Sequence, residues 1–311
     1  MLPDMSFRSR PALSARLGAA TAALVALAVC AACGSSGSRG GTDGISVVAS
    51  TNVYGDIVST IAGPAVKVTS IISDPAKDPH SYQADARTQL ALNRADLVVE
   101  NGGGYDDFVH TMLDSAGGGA TVLNVVDISG RDPSGNGGFN EHVWYDFPTM
   151  ITLVDRIVSE LSRLDAKAAS TFHTNGDALK QGIMGLESAA AAIASTSAGA
   201  GVAITEPVPL YLLEACGLQN KTPEAFSQAV EEGSDVSPRD LQAMLSILSD
   251  GSVRILAYNE QTSGPETQQL ISAAKRANLA VIPVRETLPA GEHYVAWMRG
   301  YLTQIQSAVA A

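Results

Sequence analysis

The sequence predicts an α/β protein of two lobes, each a mostly parallel sheet flanked by helices, joined by a long linker helix. Three observations carry that expectation. Short β-rich runs alternate with helical patterns in two separate series, and such alternation lays helices over a parallel sheet. Between the two series lies a stretch with helical periodicity and no strand signal. The chain has 311 residues, enough for one large domain or two modest ones.

Composition narrows the class. Hydrophobic residues make up 45% and charged residues 17%, a globular mixture and not a disordered one. Only 5% are aromatic, so the core must be built from Ala, Val, Leu and Ile. Acidic residues number 32 against 20 basic ones, a net charge of −12. That balance excludes a general nucleic-acid binder, which needs a basic face to neutralise phosphates.

The N-terminus reads as an address. Arg8, Arg10 and Arg16 precede an apolar run from Leu17 to Ala32 that closes on small residues. A basic start, a short apolar core and a small-residue end read as a signal peptide over residues 1–32. The run is shorter than the about 20 residues a membrane span requires. Cys30-Ala31-Ala32-Cys33, followed by Gly34-Ser35-Ser36-Gly37-Ser38, resembles a bacterial lipobox, in which Cys33 becomes the lipidated first residue. Cys30 stands where that pattern usually has Leu; the other reading is an ordinary cleaved signal with two incidental cysteines. Residues 33–44 are then a lipidated tether, too polar and glycine-rich to pack. Cys216 is left with nothing to pair with and is expected to be a buried apolar filler.

The N-terminal α/β lobe is expected over residues 45–147, with strands at 45–50, 66–72, 96–100 and 121–127 and helices at 54–61, 84–93 and 106–115. The helical linker region covers 148–199. Residues 148–164 repeat Ile, Leu and Val at helical spacing, and Asp165 is the expected cap of a second helix running to about Thr196. At 1.5 Å per residue that helix would span roughly 45 Å. Gly176, Gly182 and Gly185 weaken it, each by about 1 kcal/mol relative to Ala. A rigid helical connection would restrict hinge motion. The C-terminal α/β lobe, residues 200–311, is expected to hold strands at 202–205, 253–258 and 280–284 and helices at 210–215, 238–248, 265–277 and about 292–308. Ser237 is the N-cap candidate for the second of these helices, with Pro238 at its first position.

Five histidines are present: His80, His110, His142, His173 and His293. His80 follows Asp78-Pro79, whose proline fixes a turn, and His142 lies in Glu141-His142-Val143-Trp144. In the second lobe the strand at 202–205 runs directly into Glu206-Pro207, and the strand at 280–284 into Arg285-Glu286. Ligands of open α/β sheets sit beyond the carboxyl ends of strands, which is where both glutamates fall. Two neutral imidazoles and two carboxylates would suit a divalent cation, whose charge the carboxylates balance. Each residue also has a plainer reading at this point. A Pro-His turn can be a solvated loop, Glu206 can simply end a strand, and Glu286 can pair with Arg285. Glu141 is exposed or a hydrogen-bond acceptor behind His142, while His110 and His173 read as surface residues of helices. His293 reads as part of the first turn of the last helix. The Gly102-Gly103-Gly104 run lacks a following Gly-Lys-Ser/Thr, so it reads as a tight turn and not a phosphate loop.

Taken together, the motifs resemble the metal-binding family of ABC-transporter solute-binding lipoproteins. The resemblance runs from about Ile45 to Ile305 and rests on Ala49-Ser50-Thr51-Asn52, Ile61-Ala62-Gly63, Asp78-Pro79-His80-Ser81-Tyr82, Ala95-Asp96-Leu97-Val98-Val99 and His142-Val143-Trp144. Residues 232–241, with Ser237-Pro238, and 253–260 are similar to the family's second lobe. The resemblance implies that His80, His142, Glu206 and Glu286 are the metal ligands. The third ligand is commonly His in zinc-type members and can be Glu in manganese-type ones; the fourth is usually Asp, from which Glu286 departs by one methylene. Zinc favours four ligands rich in nitrogen or sulfur and manganese accepts oxygen-rich sets, so either ion fits, with a slight lean to manganese.

The implied function is the extracytoplasmic solute-binding component of an ABC importer. It would capture Mn2+ or Zn2+ between its lobes and deliver the ion to a permease with its ATPase subunit. The protein is expected to be a monomer held to the membrane by its N-terminal lipid, with no nucleic-acid partner and no enzymatic activity. Two other classes compete. A secreted metallohydrolase on the same His and Glu residues would need an open coordination position and a general base, and neither H-E-x-x-H nor G-x-S-x-G occurs. A surface adhesin lipoprotein with a vestigial metal site would keep its role without these side chains.

Overall fold

The first strand, β1 (Ile45–Thr51), buries its last five residues in a row, the pattern of a strand covered on both faces. In the computed structural model, which describes residues 44–74, 82–116, 119–131 and 139–310, β1 pairs in parallel with β2 (Val66–Ile72) and β3 (Leu97–Glu100), and β3 with β4 (Thr121–Asn124). The order is β2-β1-β3-β4. Helices α1 (Asn52–Ala62), α2 (Ala86–Arg94) and α3 (Asp107–Ala116) make the crossovers. Asp85 caps α2, its carboxylate accepting from the backbone N–H of Arg87 and Thr88.

The strand expected at 121–127 stops at Asn124. The Asn124 side chain accepts from the Asp127 N–H and starts a five-residue helix, α4 (Val125–Ser129), which Gly130 closes in the left-handed region at φ 66°. A cap at one residue overrides the β preference of the two valines that follow.

Helices α5 (Phe147–Leu164) and α6 (Ala169–Ser197) connect the first sheet to the second. α6 is continuous over 29 residues. Asp165 is not its N-cap, as expected from the sequence; Ala168 holds that position, and Asp165 stands at the C-cap of α5. The Asp165 carboxylate instead holds the turn, accepting from the N–H of Lys167 and Ala168 at 2.9 and 3.3 Å. Two of the three glycines have a packing reason. A Cβ on Gly176 would lie 2.4 Å from Val158 of α5, and one on Gly182 would lie 3.2 Å from Val295 of α11 (Tyr294–Ala310). Gly185 faces open space and carries its propensity cost without such a return.

The second sheet repeats the first in topology. β5 (Gly201–Ile204), β6 (Gln219–Asn220), β7 (Ile255–Asn259) and β8 (Ala280–Val284) are all parallel, in the order β6-β5-β7-β8. They alternate with α7 (Leu210–Ala215), α8 (Glu224–Glu231), α9 (Pro238–Ile247), α10 (Pro265–Arg276) and α11. The two-residue β6 and the helix α8 were not expected from the sequence. Ser237 does cap α9, accepting from the Asp240 N–H. Cys216 is fully buried, and burial pushes its thiol up to about 12. One apolar cluster joins the two sheets through the linker, with Val47 and Val99 from the first, Leu153 and Phe172 from the connecting helices, and Ile204 and Ile255 from the second.

The signal, tether and lipidation assignments fall on residues 1–43, and His80 on 75–81, all outside the described residues. Among the described residues no helix is long and apolar enough to cross a membrane.

Candidate metal site

The carboxyl ends of β5, β7 and β8 meet at one place. Glu206 lies two residues beyond β5, Glu286 two beyond β8, and Asn259 is the last residue of β7 between them. All three are buried. The Asn259 amide donates to Glu206 Oε2 at 2.8 Å and to Glu286 Oε1 at 2.7 Å. Its own Oδ1 accepts from the Gln261 N–H at 3.0 Å, which settles which end of the amide faces the carboxylates. The Thr262 hydroxyl donates to Glu206 Oε1. Gln261 Oε1 accepts from the Glu286 N–H at 2.7 Å and so fixes the turn that presents that side chain. Arg285 pairs with Glu260.

His142 comes from the first half of the chain, just ahead of the 3-10 turn Val143–Tyr145. Its ring is completely buried, edge-on to Trp144 at 5.1 Å and to Tyr105 at 6.0 Å between centroids. Asn140 decides its tautomer. Asn140 Nδ2 donates to the Pro207 carbonyl at 3.1 Å, which can only accept, so Asn140 Oδ1 is the atom 2.7 Å from His142 Nδ1. His142 therefore donates from Nδ1 and turns the lone pair of Nε2 toward the carboxylates, the arrangement of a metal-binding imidazole. Nε2 is 4.0 Å from Glu286 Oε2. An ion bonded to both atoms at about 2.1 Å can span at most about 4.2 Å, so the two are within reach of one ion.

Three of the four residues expected to bind metal are thus brought together; His142 and Glu286 approach directly, and Glu206 joins through Asn259. A third carboxylate, not among the expected ligands, is nearer still to the imidazole. Glu231, the last residue of α8, places Oε1 at 3.5 Å from His142 Nε2. Glu141, His142 and Glu231 each offer a ligand atom within 4.8 Å of the others. Glu141 is not exposed: burial raises its carboxyl above the usual range. Burial and the charge of Glu286 also hold the Tyr105 hydroxyl well above its ordinary value, so it stays protonated.

His110, His173 and His293 lie on the surface, His293 just ahead of α11 with Nδ1 2.7 Å from Asp56. The glycine run after β3 is a tight turn. Gly102, Gly103 and Gly104 have φ of 79°, 67° and 96°, and the Asp106 carboxylate accepts from the N–H of Asn101 and Gly102 at 2.7 and 2.8 Å.

Asn259 keeps two buried carboxylates compatible without an ion. Asn259→Ala removes two hydrogen bonds to charged acceptors, each worth about 1.5–3 kcal/mol. Metal-free Asn259→Ala should lose roughly 3 kcal/mol in urea unfolding, and saturating Mn2+ should raise its melting temperature by more than it raises that of the wild type.

Two parallel sheets that share one strand order, joined by a helical span and meeting at buried imidazole and carboxylate groups, have the build of a solute-binding protein for a metal ion. The chain belongs to the ZnuA family, described as zinc-uptake complex component A, periplasmic, which residues 47–308 match. These are the metal-binding solute-binding proteins of ABC importers, which work with a permease and an ATPase. The chain is 26% identical over 237 residues to the manganese-binding lipoprotein MntA of Bacillus subtilis, covering 74% of this chain and 76% of that protein. It is 24% identical over 144 residues to the iron-binding protein YfeA of Yersinia pestis, 45% of this chain and 46% of that one. The fold matches the periplasmic zinc-binding protein TroA from Treponema pallidum with a TM-score of 0.73 at 21% identity, over 86% of this chain and all of that one.

Proposed function

We infer that this protein captures a divalent transition metal, Mn2+ or Zn2+, outside the cytoplasm and hands it to an ABC permease with its ATPase subunit. His80, His142, Glu206 and Glu286 are the ligands, drawn from an N-terminal lobe at 45–147 and a C-terminal lobe at 200–311 with the linker at 148–199 between. Cys33 carries the lipid that anchors a monomer to the membrane, after removal of residues 1–32. The observation that supports the reading best is the buried approach of His142 Nε2 to Glu286 across the meeting of the two sheets, with Glu206 tied to the same point by Asn259. A carrier closes the coordination sphere around its cargo, whereas a hydrolase must leave a position for water; the protein is not an enzyme.

Chelator-stripped protein titrated with Mn2+ and with Zn2+ should bind one ion per chain. The affinity should fall as pH falls, because protons compete for the imidazole and carboxylate ligands. Protein that binds neither ion at stoichiometric ratio, or that binds equally well at pH 4 and pH 7, would overturn the reading.

A further inference from the structure

The geometry points to Glu231 as an additional ligand of the cargo ion, placed at the mouth of the site and biasing it toward manganese-class cations. This rests on the reading above that His142 and Glu286 hold a divalent ion.

Distance is the first argument. Two ligands bonded at about 2.1 Å with a tetrahedral angle lie about 3.4 Å apart. Glu231 Oε1 is 3.5 Å from His142 Nε2, closer than Glu286 Oε2 at 4.0 Å. Glu206, by contrast, accepts from Asn259 and Thr262 of its own half of the chain.

Electrostatics is the second. Glu231 ends α8, where the helix dipole disfavours a negative charge, and no basic residue occupies that last turn. Its ligand atom lies within 4.8 Å of those of Glu141 and His142, and Glu286 Oε2 approaches the same Nε2 at 4.0 Å. A dication bound beside Glu231 would offset both the repulsion from its neighbouring carboxylates and the unfavourable helix end.

Exposure is the third. The side chains of His142 and Glu286 are wholly buried, whereas Glu231 retains 14% of its surface. Among the described ligand residues, Glu231 is thus the one an arriving ion can reach from solvent. With Glu231 included, oxygen ligands outnumber nitrogen ones, and oxygen-rich, higher coordination suits Mn2+ better than Zn2+.

The test compares wild type with Glu231→Gln, which keeps shape and removes charge. Mn2+ binding is read from the loss of the free-ion EPR signal and Zn2+ binding from chelator competition. The expected result is a Mn2+ dissociation constant raised about tenfold or more, a smaller rise for Zn2+, and recovery of Mn2+ affinity in Glu231→Asp. The metal-free Gln variant should melt at or above the wild-type temperature, which separates lost coordination from lost folding. Equal weakening for both ions, or none, overturns the role of Glu231. A wild type that binds neither ion refutes instead the reading on which the inference rests.

Discussion

His142→Ala should lower the affinity for both Mn2+ and Zn2+ by more than about a hundredfold. Losing a residue that merely orients a metal ligand costs 10–100-fold, and a direct ligand must exceed that. The imidazole is wholly buried, its tautomer is set by Asn140, and its Nε2 is approached by the carboxylates of Glu231 at 3.5 Å and Glu286 at 4.0 Å. Removing it takes away the buried imidazole that both carboxylates approach. Isothermal titration with each ion measures the loss, and a circular dichroism melt of the stripped variant checks that the fold persists. An affinity within threefold of wild type would mean that His142 is not a ligand.

Trp144→Ala should destabilise the protein by about 3–5 kcal/mol, the usual cost of hollowing out a large buried aromatic. Trp144 is fully buried and packs against His142, Tyr105 and Tyr145 at centroid distances of 5.1, 5.1 and 6.0 Å. Its carbonyl accepts from the Tyr294 hydroxyl at 2.7 Å. Since a folded protein rarely holds more than about 15 kcal/mol in reserve, this is a large fraction of the total. Trp144→Phe separates volume from polarity. The indole N–H has no hydrogen-bond partner among the described residues, so a phenyl ring loses little beyond size and should cost less than half as much. Urea unfolding of the stripped proteins orders the three variants; equal loss for Phe and Ala would contradict the packing account.

Much of this architecture could be read from the amino-acid order, for identifiable reasons. β2, β8 and α7 fall where apolar runs and their punctuation place them, because each is bounded by local chemistry. The same strand-end rule that marks Glu206 and Glu286 also applies to Asn259, but an uncharged amide gives no chemical signal of its own. Its role exists only because two carboxylates flank it in space. Asn140 is invisible for the same reason, since the Pro207 carbonyl that orients it is far away in sequence. α8 was hidden by its length. Eight residues with Phe226 as the buried anchor give too short a pattern for a helical period, and Glu231 went unnoticed with it. α4 was hidden by its composition, because Val125 and Val126 look like the continuation of a strand unless Asn124 is taken as a cap.

The aromatic seam behind the site has a mechanical consequence. Tyr145 stacks against Trp297 and Tyr301 of α11 at 5.8 and 5.9 Å and donates to the Arg285 carbonyl, while Asn52 exchanges two hydrogen bonds with the backbone of Leu288. Swinging the halves apart like a clamshell would tear all of these at once, each aromatic pair alone being worth about 0.5–1.5 kcal/mol. The two halves are thus riveted along this seam, and any opening that admits or discharges cargo must leave it intact.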